Sequence, residues 1–362
     1  MPLSTVKGQN LRLSPQPWLA VNLSMFFPGI GQLYAGERLR GIGLICSAVV
    51  LMAIAFWSIF TPTGNTVTGL SSIFLFLIVY IFNLFDAYNC VKKQLNIGET
   101  ENIPRKNKDP WFAVFLSRIL PGLGHFYIEQ AIIGAVILSL LIVFSSLARF
   151  FYNLILFIPI IYSVACYHAF VAFPRRQRQR QHPIAILAIF VLVFGLVGSY
   201  LPNWINHKIE IFIIPSNSML PTLQAGDRIL VNKSRDYSPQ RGDLIVFKTP
   251  DAAKILEPEA ERKKEQYYIK RVIGKPGQIV RVAGGIVYID NQPLQEAYIA
   301  QAPAYEWGPQ AVSAESYFVM GDNRNNSMDS HVWGFLAKHY IVGQSYKVSW
   351  PPDRVKSLLN KN

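Results

Sequence analysis

The chain has 362 residues, 51% of them apolar and only 16% charged, with a formal net charge of +13 at pH 7. That charged fraction is below the roughly 25% of an average soluble domain, so part of the chain avoids water, and the length allows two domains with a core each. The positive residues fall in short clusters between apolar runs with no recognition motif beside them, which sets nucleic acid aside as a partner. Cys46, Cys90 and Cys166 lie inside apolar runs, so neither a CxxC metal pair nor a disulfide framework is present.

Five stretches approach the ~20 apolar residues that cross a bilayer core: 41–60, 70–90, 131–148, 151–173 and 184–202. Buried helices of a soluble bundle would carry polar faces at helical period, and "IGLICSAVVLMAIAFWSIF" and "IAILAIFVLVFGLVGSYL" carry none. The stretches are therefore expected to be transmembrane helices. Residues 1–206 hold 15 Lys and Arg against 6 Asp and Glu, while residues 207–362 hold 20 against 16. Arg38 and Arg40 precede the first span. Lys92, Lys93, Arg105, Lys106 and Lys108 follow the second, and "PRRQRQRQ" (174–181) precedes the fifth. The loop "TPTGNTVTG" carries no charge and the one around Arg149 carries one. The positive-inside rule then predicts a multi-pass protein of the cytoplasmic membrane, its N-terminus cytoplasmic and residues 206–362 extracytoplasmic. No n/h/c pattern with a small-residue cleavage site precedes the first span, so no signal peptide is expected on this chain.

Two stretches align without a gap at an offset of 93 residues. "WLAVNLSMFFPGIGQLYAGERLRGIGL" (18–44) matches "WFAVFLSRILPGLGHFYIEQAIIGAVI" (111–137), pairing Trp18 with Trp111, Pro28 with Pro121, Gly31 with Gly124 and Tyr34 with Tyr127. Each is followed by a helical pair, so residues 1–183 read as a duplicated two-span module with PGxGxxY repeats at 28–34 and 121–127, and 184–205 as a fifth anchor. The Pro-Gly-x-Gly core breaks a helix at the membrane surface and lets backbones approach closely. It resembles the signature of small two-span membrane modules and names no chemistry.

Beyond residue 206 the pattern changes to short β-rich runs: "IEIFII", "RILVNK", "DLIVFK", "YYIKRVIG", "QIVRVAGGIVYID", "YFVMGD" and "IVGQSYKVSW". Turn residues separate them, which predicts a mostly antiparallel β domain over 206–362. The charged stretch "KTPDAAKILEPEAERKKEQ" reads as a solvated surface loop.

Three segments of this half attract attention. "PSNSMLPTL" places Ser216 and Ser218 just past the last apolar span, where serine beside proline is ordinarily turn chemistry. "YYIKRVIGKPGQ" puts Lys270 inside an apolar β run, on one face with Tyr268 and Val272, while Arg271 shares the other with Ile269 and Ile273. Both faces are apolar, so periodicity does not say which basic residue points inward. A buried lysine loses ammonium solvation and can serve as a neutral base near pH 7; a strand lysine that snorkels is the commoner case. "GDNRNNSMDSHVWG" (321–334) is dense in turn formers, acids and hydroxyls, but lacks the Glu at the twelfth position of a calcium loop, so no metal and no cofactor is expected.

Taken in order, "PSNSMLPTL" (215–223), "GDRILVNK" (226–233), "KRVIGKPG" (270–277) and "GDNRNNSMDS" (321–330) resemble the type I signal peptidases, membrane-bound serine proteases with a Ser/Lys dyad. The resemblance covers about residues 195–355. It implies Ser218 as nucleophile and Lys270 as general base. It further implies that Ser327 orients the Lys270 amine, and that Asp322, Asp329 and Arg324 hold the 321–330 loop together. The Ser218 backbone N–H and the Ser216 hydroxyl would form the oxyanion hole. His331 stands where the family often has Arg, which would weaken an ion pair with Asp329 and make it pH-dependent. Gln278 stands where an acidic residue is usual.

The physical chemistry accords with that assignment, because a serine hydroxyl needs a positioned base and Ser/Lys pairs are known variants of the triad. The implied activity is endoproteolytic removal of signal peptides from preproteins, after an Ala-x-Ala-like site beside an apolar segment in the bilayer. Two readings compete: a self-cleaving repressor-type Ser/Lys peptidase, which the spans oppose, and a non-catalytic membrane scaffold, which intact Ser218, Lys270 and Ser327 oppose. A secretion channel is a further partner that the sequence leaves open for the N-terminal module.

Overall fold

The computed structural model describes residues 15–94, 108–173, 182–234, 237–256 and 266–359. The basic cluster at 174–181, Arg105, Lys106 and residues 257–265 of the charged loop lie outside the described residues. By contacts the chain divides into two compact units, Met1–Ala53 with Ser72–Pro202, and Ile54–Ser71 with Asn203–Asn362.

In the first unit, α1 (Pro17–Ser24) and α2 (Ile30–Tyr34) flank the turn at 28–29, and the long helices α3 (Arg38–Phe60) and α4 (Thr66–Gln94) follow. The order then repeats: α5 (Pro110–Ile119) and α6 (Leu123–Tyr127) flank the turn at 121–122, and α7 (Ala131–Leu147) and α8 (Phe157–Val171) follow, before α9 (His182–Lys208). Proline at the first helical position starts α1 and α5, and the Asp109 carboxylate caps α5 by accepting from Trp111 N and Phe112 N at 2.7 and 3.2 Å.

Four helices are long and apolar enough to cross a membrane by length and composition: Arg38–Phe60, Thr66–Gln94, Tyr152–Val171 and Pro183–Lys208. The expected span at 131–148 folds as a 17-residue helix, about 25 Å at 1.5 Å per residue, at the lower limit for crossing. The last helix runs on past the expected end at 202, through Pro202 to Lys208.

The two Pro-Gly-x-Gly turns share backbone conformation and contacts. Gly29 and Gly122 both take positive φ, 95° and 102°. A β-carbon on Gly31 would collide with the Ala20 carbonyl and Ser24 Oγ, and one on Gly124 with the Ala113 carbonyl and Ser117 Oγ, so both positions require glycine for close approach. The Tyr34 hydroxyl accepts from Gln16 N at 3.0 Å and the Tyr127 hydroxyl from Asp109 N at 3.0 Å, each returning the short second helix to the start of the first. The polar side chains diverge: Gln32 Nε2 donates to the Asn83 carbonyl and to Asp86 Oδ2, both at 3.1 Å, whereas His125 Nε2 meets His168 Nδ1 at 2.9 Å.

The second unit is antiparallel β. Its main sheet is built from β1 (Ile209–Ile213), β2 (Arg228–Asn232), β3 (Leu244–Lys248), β4 (Tyr267–Gly274), β9 (Ser316–Met320), β10 (Leu336–Ala337), β11 (Ile341–Trp350) and β12 (Lys356–Ser357). The order is β1-β2-β11-β3-β4-β9-β10, with β12 pairing β11. A smaller sheet, order β7-β6-β5-β8, comprises β5 (Ile279–Ala283), β6 (Ile286–Ile289), β7 (Gln292–Pro293) and β8 (Trp307–Ala311). Gly284 and Gly285, both at positive φ, make the two-residue turn between β5 and β6. Between β3 and β4 only the short helix Asp251–Lys254 is formed before the part of the loop that is not described. In the same unit, fully buried Lys347 of β11 donates to the Ser58 and Ile59 carbonyls at 2.7 and 2.9 Å, satisfying carbonyls left open where α3 ends.

β4 lies between β3 and β9, Arg271 facing Leu244 on one side and Met320 on the other. One cluster of buried apolar side chains joins Ile214, Met219 and Leu223 to Leu244, Val246 and Ile269 of the sheet, which pins the segment between β1 and β2 against β3 and β4. β9 delivers the chain directly into the loop at 321–330. Segments far apart in sequence meet at the middle of β4 for these reasons.

Candidate active site

Ser218 lies in the irregular segment after β1, half-buried, next to Met219, whose buried side chain anchors the turn. Lys270 comes from the middle of β4 and is 4% exposed. Their side chains meet: Lys270 Nζ donates to Ser218 Oγ at 2.7 Å. When the amine is neutral the same contact can run the other way, with the hydroxyl donating to nitrogen. Burial pushes the Lys270 ammonium down to about 8, and the charges of Asp329 and Asp322 hold it from falling further. Both basic residues of β4 turn out to be buried, since Arg271 is also 4% exposed.

Ser216, exposed, donates its hydroxyl to Ser218 Oγ at 3.3 Å, so both serines of the opening motif sit at one spot. Among the described residues the buried Ser327 Oγ has no hydrogen-bond partner, so the contact to Lys270 that the resemblance implied is not formed here. It is nevertheless close to the dyad. A β-carbon on Gly321 would collide with both Ser327 Oγ and the Ser218 carbonyl oxygen, so the glycine lets the 321–330 loop press against the serine segment. Asn323 N completes that junction by donating to the Ser218 carbonyl at 3.1 Å.

Asp322, Asp329 and Arg324, expected to hold the loop together, each do so through partners other than one another. Asp322, fully buried, is gripped by Arg271, Nε to Oδ1 at 2.8 Å and a terminal nitrogen to Oδ2 at 2.6 Å, and accepts from the Thr222 hydroxyl at 2.5 Å. Arg271 also donates to the Gly242 carbonyl at 2.8 Å and packs over the Tyr298 ring at 3.9 Å. Arg324, itself buried, reaches Glu296 beyond the loop, making two hydrogen bonds of 2.6 and 2.5 Å, and its Nε donates to the Gly321 carbonyl. Asp329 accepts from Gly321 N at 2.8 Å and contacts His331 Nδ1 at 2.7 Å. The His331 ring stacks on Tyr305 with centroids 4.0 Å apart. Gln278 closes a turn, accepting from Lys275 N at 3.0 Å and donating to Asp290 at 3.1 Å.

Arg271, Glu296, Thr222 and Tyr305 are site-supporting residues that the sequence did not single out. Arg271 carried a visible signal, a second cation inside an apolar strand that needs a buried partner. Glu296 and Tyr305 sit in loops and carried none. Among the described residues no group of three or more His, Cys, Asp or Glu could hold a metal ion.

Two cavities adjoin the dyad. One, of about 360 Å³, is lined by Ser216, Ser218, Tyr268, Lys270, Asn326 and Met328. The other, of about 460 Å³, is lined by Phe212, Ile214, Ile229, Val246 and Ile269. A buried Ser/Lys contact beside an apolar cleft on an antiparallel sheet is the equipment of a serine peptidase. A sequence model of the family described as "Signal peptidase, peptidase S26" matches residues 184–350. Signal peptidase I of Leptolyngbya laminosa is 48% identical over 147 residues, 40% of this chain and 70% of the relative. Probable signal peptidase I-1 of Synechocystis sp. is 49% identical, covering 39% and 71%. Signal peptidase I of Bacillus amyloliquefaciens is 36% identical, covering 39% and 74%. The chain belongs to the signal peptidase I family of serine peptidases, and its long apolar helices make it a membrane-anchored member.

Proposed function

We propose that this chain removes signal peptides from preproteins, with Ser218 as nucleophile and Lys270 as its general base. The observation that carries the reading is the 2.7 Å contact between Lys270 Nζ and Ser218 Oγ in a site where burial drives the lysine toward its neutral form. Ser218 Oγ attacks the carbonyl carbon of the residue before the cut while its proton moves to Nζ. The developing oxyanion is met by the Ser218 N–H and the Ser216 hydroxyl, donors of the kind whose loss costs ~10²–10³ in rate. The tetrahedral adduct collapses, the C–N bond breaks, and the Lys270 ammonium returns the proton to the departing amine. Water then gives a proton to Lys270 as its oxygen adds to the acyl carbon, the bond from that carbon to Ser218 Oγ breaks as the Lys270 ammonium returns the proton to Oγ, and the peptide leaves as a carboxylic acid that ionises in water. Asp322, Asp329 and Arg324 serve by fixing the loop behind the dyad, and Ser327 by filling the space beside it.

The two cavities support an extended peptide laid beside Ser218 with alternate side chains toward the wall, while the preference for small residues rests on the family resemblance. The uneven basic clusters support an N-terminus in the cytoplasm and a catalytic unit outside. The matched turns at 28–29 and 121–122 support an internal duplication of the membrane module. Recruitment of a secretion channel is the role we assign that module, and co-purification with and without residues 1–180 tests it.

The deciding experiment is cleavage of a preprotein with Ala at both recognition positions by the wild type, Ser218→Ala and Lys270→Ala. Cutting after the second Ala by the wild type alone supports the dyad. Equal behaviour of all three overturns it in favour of a scaffold.

A further inference from the structure

Arg118 is a guanidinium set among apolar helices. It is the ninth residue of α5, about 12 Å along the helix from Pro110. Among the described residues no carboxylate lies within ion-pair distance of it. One of its N–H groups donates to the Asn22 carbonyl near the end of α1, and the Phe26 ring covers the group at 4.0 Å. Neither contact neutralises it. In the aligned first repeat Met25 holds the equivalent position, so the fold of the turn does not call for a cation there.

Arg118 also lines a cavity of about 370 Å³ within the membrane unit, the size of a small-ligand site, and is the sole charged residue in its wall. The wall is otherwise apolar and aromatic, with Phe26, Ile158 and Phe194, and the Tyr162 and Ser199 side chains contribute the other polar groups. Ile158 is the second residue of α8, so the cavity extends from the turn at the end of α5 toward the end of α8 where the chain enters that helix. A lone cation inside membrane helices is costly and marks a site where an anion or a pathway compensates it. The ligand that fits must be anionic at one end, apolar at the other, and supplied by the membrane.

We propose that this cavity binds an anionic phospholipid, its phosphate held by Arg118 and its acyl chains laid along Phe26, Val191 and Phe194. Arg suits the task because its planar fork can offer two parallel N–H groups to a phosphate while a ring covers its face.

The test is native mass spectrometry of the full-length protein released from nanodiscs with equal phosphatidylglycerol and phosphatidylcholine. The wild type is expected to retain phosphatidylglycerol preferentially, and an excess of inorganic phosphate is expected not to displace it. Arg118→Met is expected to lose the preference by roughly tenfold, the weight of one hydrogen bond to a charged group, and Arg118→Lys to keep part of it. Thermal unfolding of the same preparations followed by helical circular dichroism reports that each variant's membrane unit is folded, since Arg118 belongs to that helical unit. Should Arg118→Met not fold, the lipid and phosphate arms on the wild type and Arg118→Lys decide. Equal retention of both lipids by the wild type overturns the proposal. Displacement by inorganic phosphate overturns it in favour of a free-anion site, and a preference that survives in Arg118→Met assigns the lipid to the basic loops instead.

Discussion

Arg271 holds both carboxylate oxygens of Asp322, and in doing so separates the fates of two neighbouring cations on one strand. Asp322 is also among the charges that hold the Lys270 proton. While Arg271 balances that carboxylate, Lys270 can be stripped of counter-charge. Arg271→Met is therefore expected to raise the apparent pKa governing kcat/KM and to lower activity at pH 7. It should also destabilise the fold by about 3–5 kcal/mol, because Asp322 is left buried and unpaired. Arg271→Lys keeps the charge but not the two-pronged grip, and is expected to fall between. A pH–rate profile combined with denaturant titration separates the two effects.

The pH dependence of the wild type follows from Lys270 itself. As the proposed general base it acts in its free-base form, so kcat/KM is expected to rise about tenfold per unit at low pH and level off above about 8. A profile already flat at pH 6 would remove Lys270 from the role of base.

The same shift has a thermodynamic face. The unfolded chain binds the lysine proton up to its ordinary value of 10.5, whereas the folded chain releases it near 8. Between these pH values the unfolded state holds more protons, so stability gained from this group rises with pH over that window and is absent below it. Lys270→Met is thus expected to raise the melting temperature at pH 6–7, with a contribution on the order of 3 kcal/mol before repacking, and the gain should shrink as pH rises toward 10.5. An unchanged difference across that range would mean that burial does not set the lysine's proton affinity.

Gly321→Ala tests the junction between the 321–330 loop and the serine segment. The added methyl meets the Ser218 carbonyl oxygen and Ser327 Oγ, so the loop or the nucleophile must move. A shift near 1 Å at the reacting groups costs ~10²-fold in activity, and overpacking of this kind costs about 1–3 kcal/mol in stability. Peptide cleavage and thermal unfolding of the variant report both.

Glu296→Ala leaves Arg324, itself buried, without its carboxylate. A loss of about 3–5 kcal/mol is expected, with the dyad contact of Lys270 and Ser218 unaltered in a crystal structure of the variant. A loss below 1 kcal/mol would show that water can replace Glu296.

Alternation and turn residues made these strands legible: six of the β-rich runs singled out in the second half each contain one strand, and "QIVRVAGGIVYID" folds as β5 and β6 with its glycine pair as the turn. Apolar length made the long helices legible: four of the five expected spans fold as helices long enough to cross a membrane, 131–148 folds as a shorter one, and the last helix continues through Pro202. The pairing of Ser218 with Lys270 was legible only through the family's ordered motifs, and the structure brings the two side chains together. The wiring behind them was not, because Arg271–Asp322 and Arg324–Glu296 join positions 51 and 28 residues apart whose pairing depends on which strands are neighbours. Ser327 was placed near Ser218 and Lys270 by resemblance, and which partner its hydroxyl finds there is not something a pattern of letters encodes.

β1 is at one end of the main sheet, hydrogen-bonded to β2 alone in the sheet order. Its Ile211 and Ile213 side chains are 60% and 63% exposed. An open strand edge carrying exposed isoleucines invites pairing with another chain. A shortened protein that begins at residue 206 should therefore be a poor subject for concentration in plain buffer: it is expected to self-associate as its concentration rises, and to be dispersed by detergent or by charged substitutions at 211 and 213.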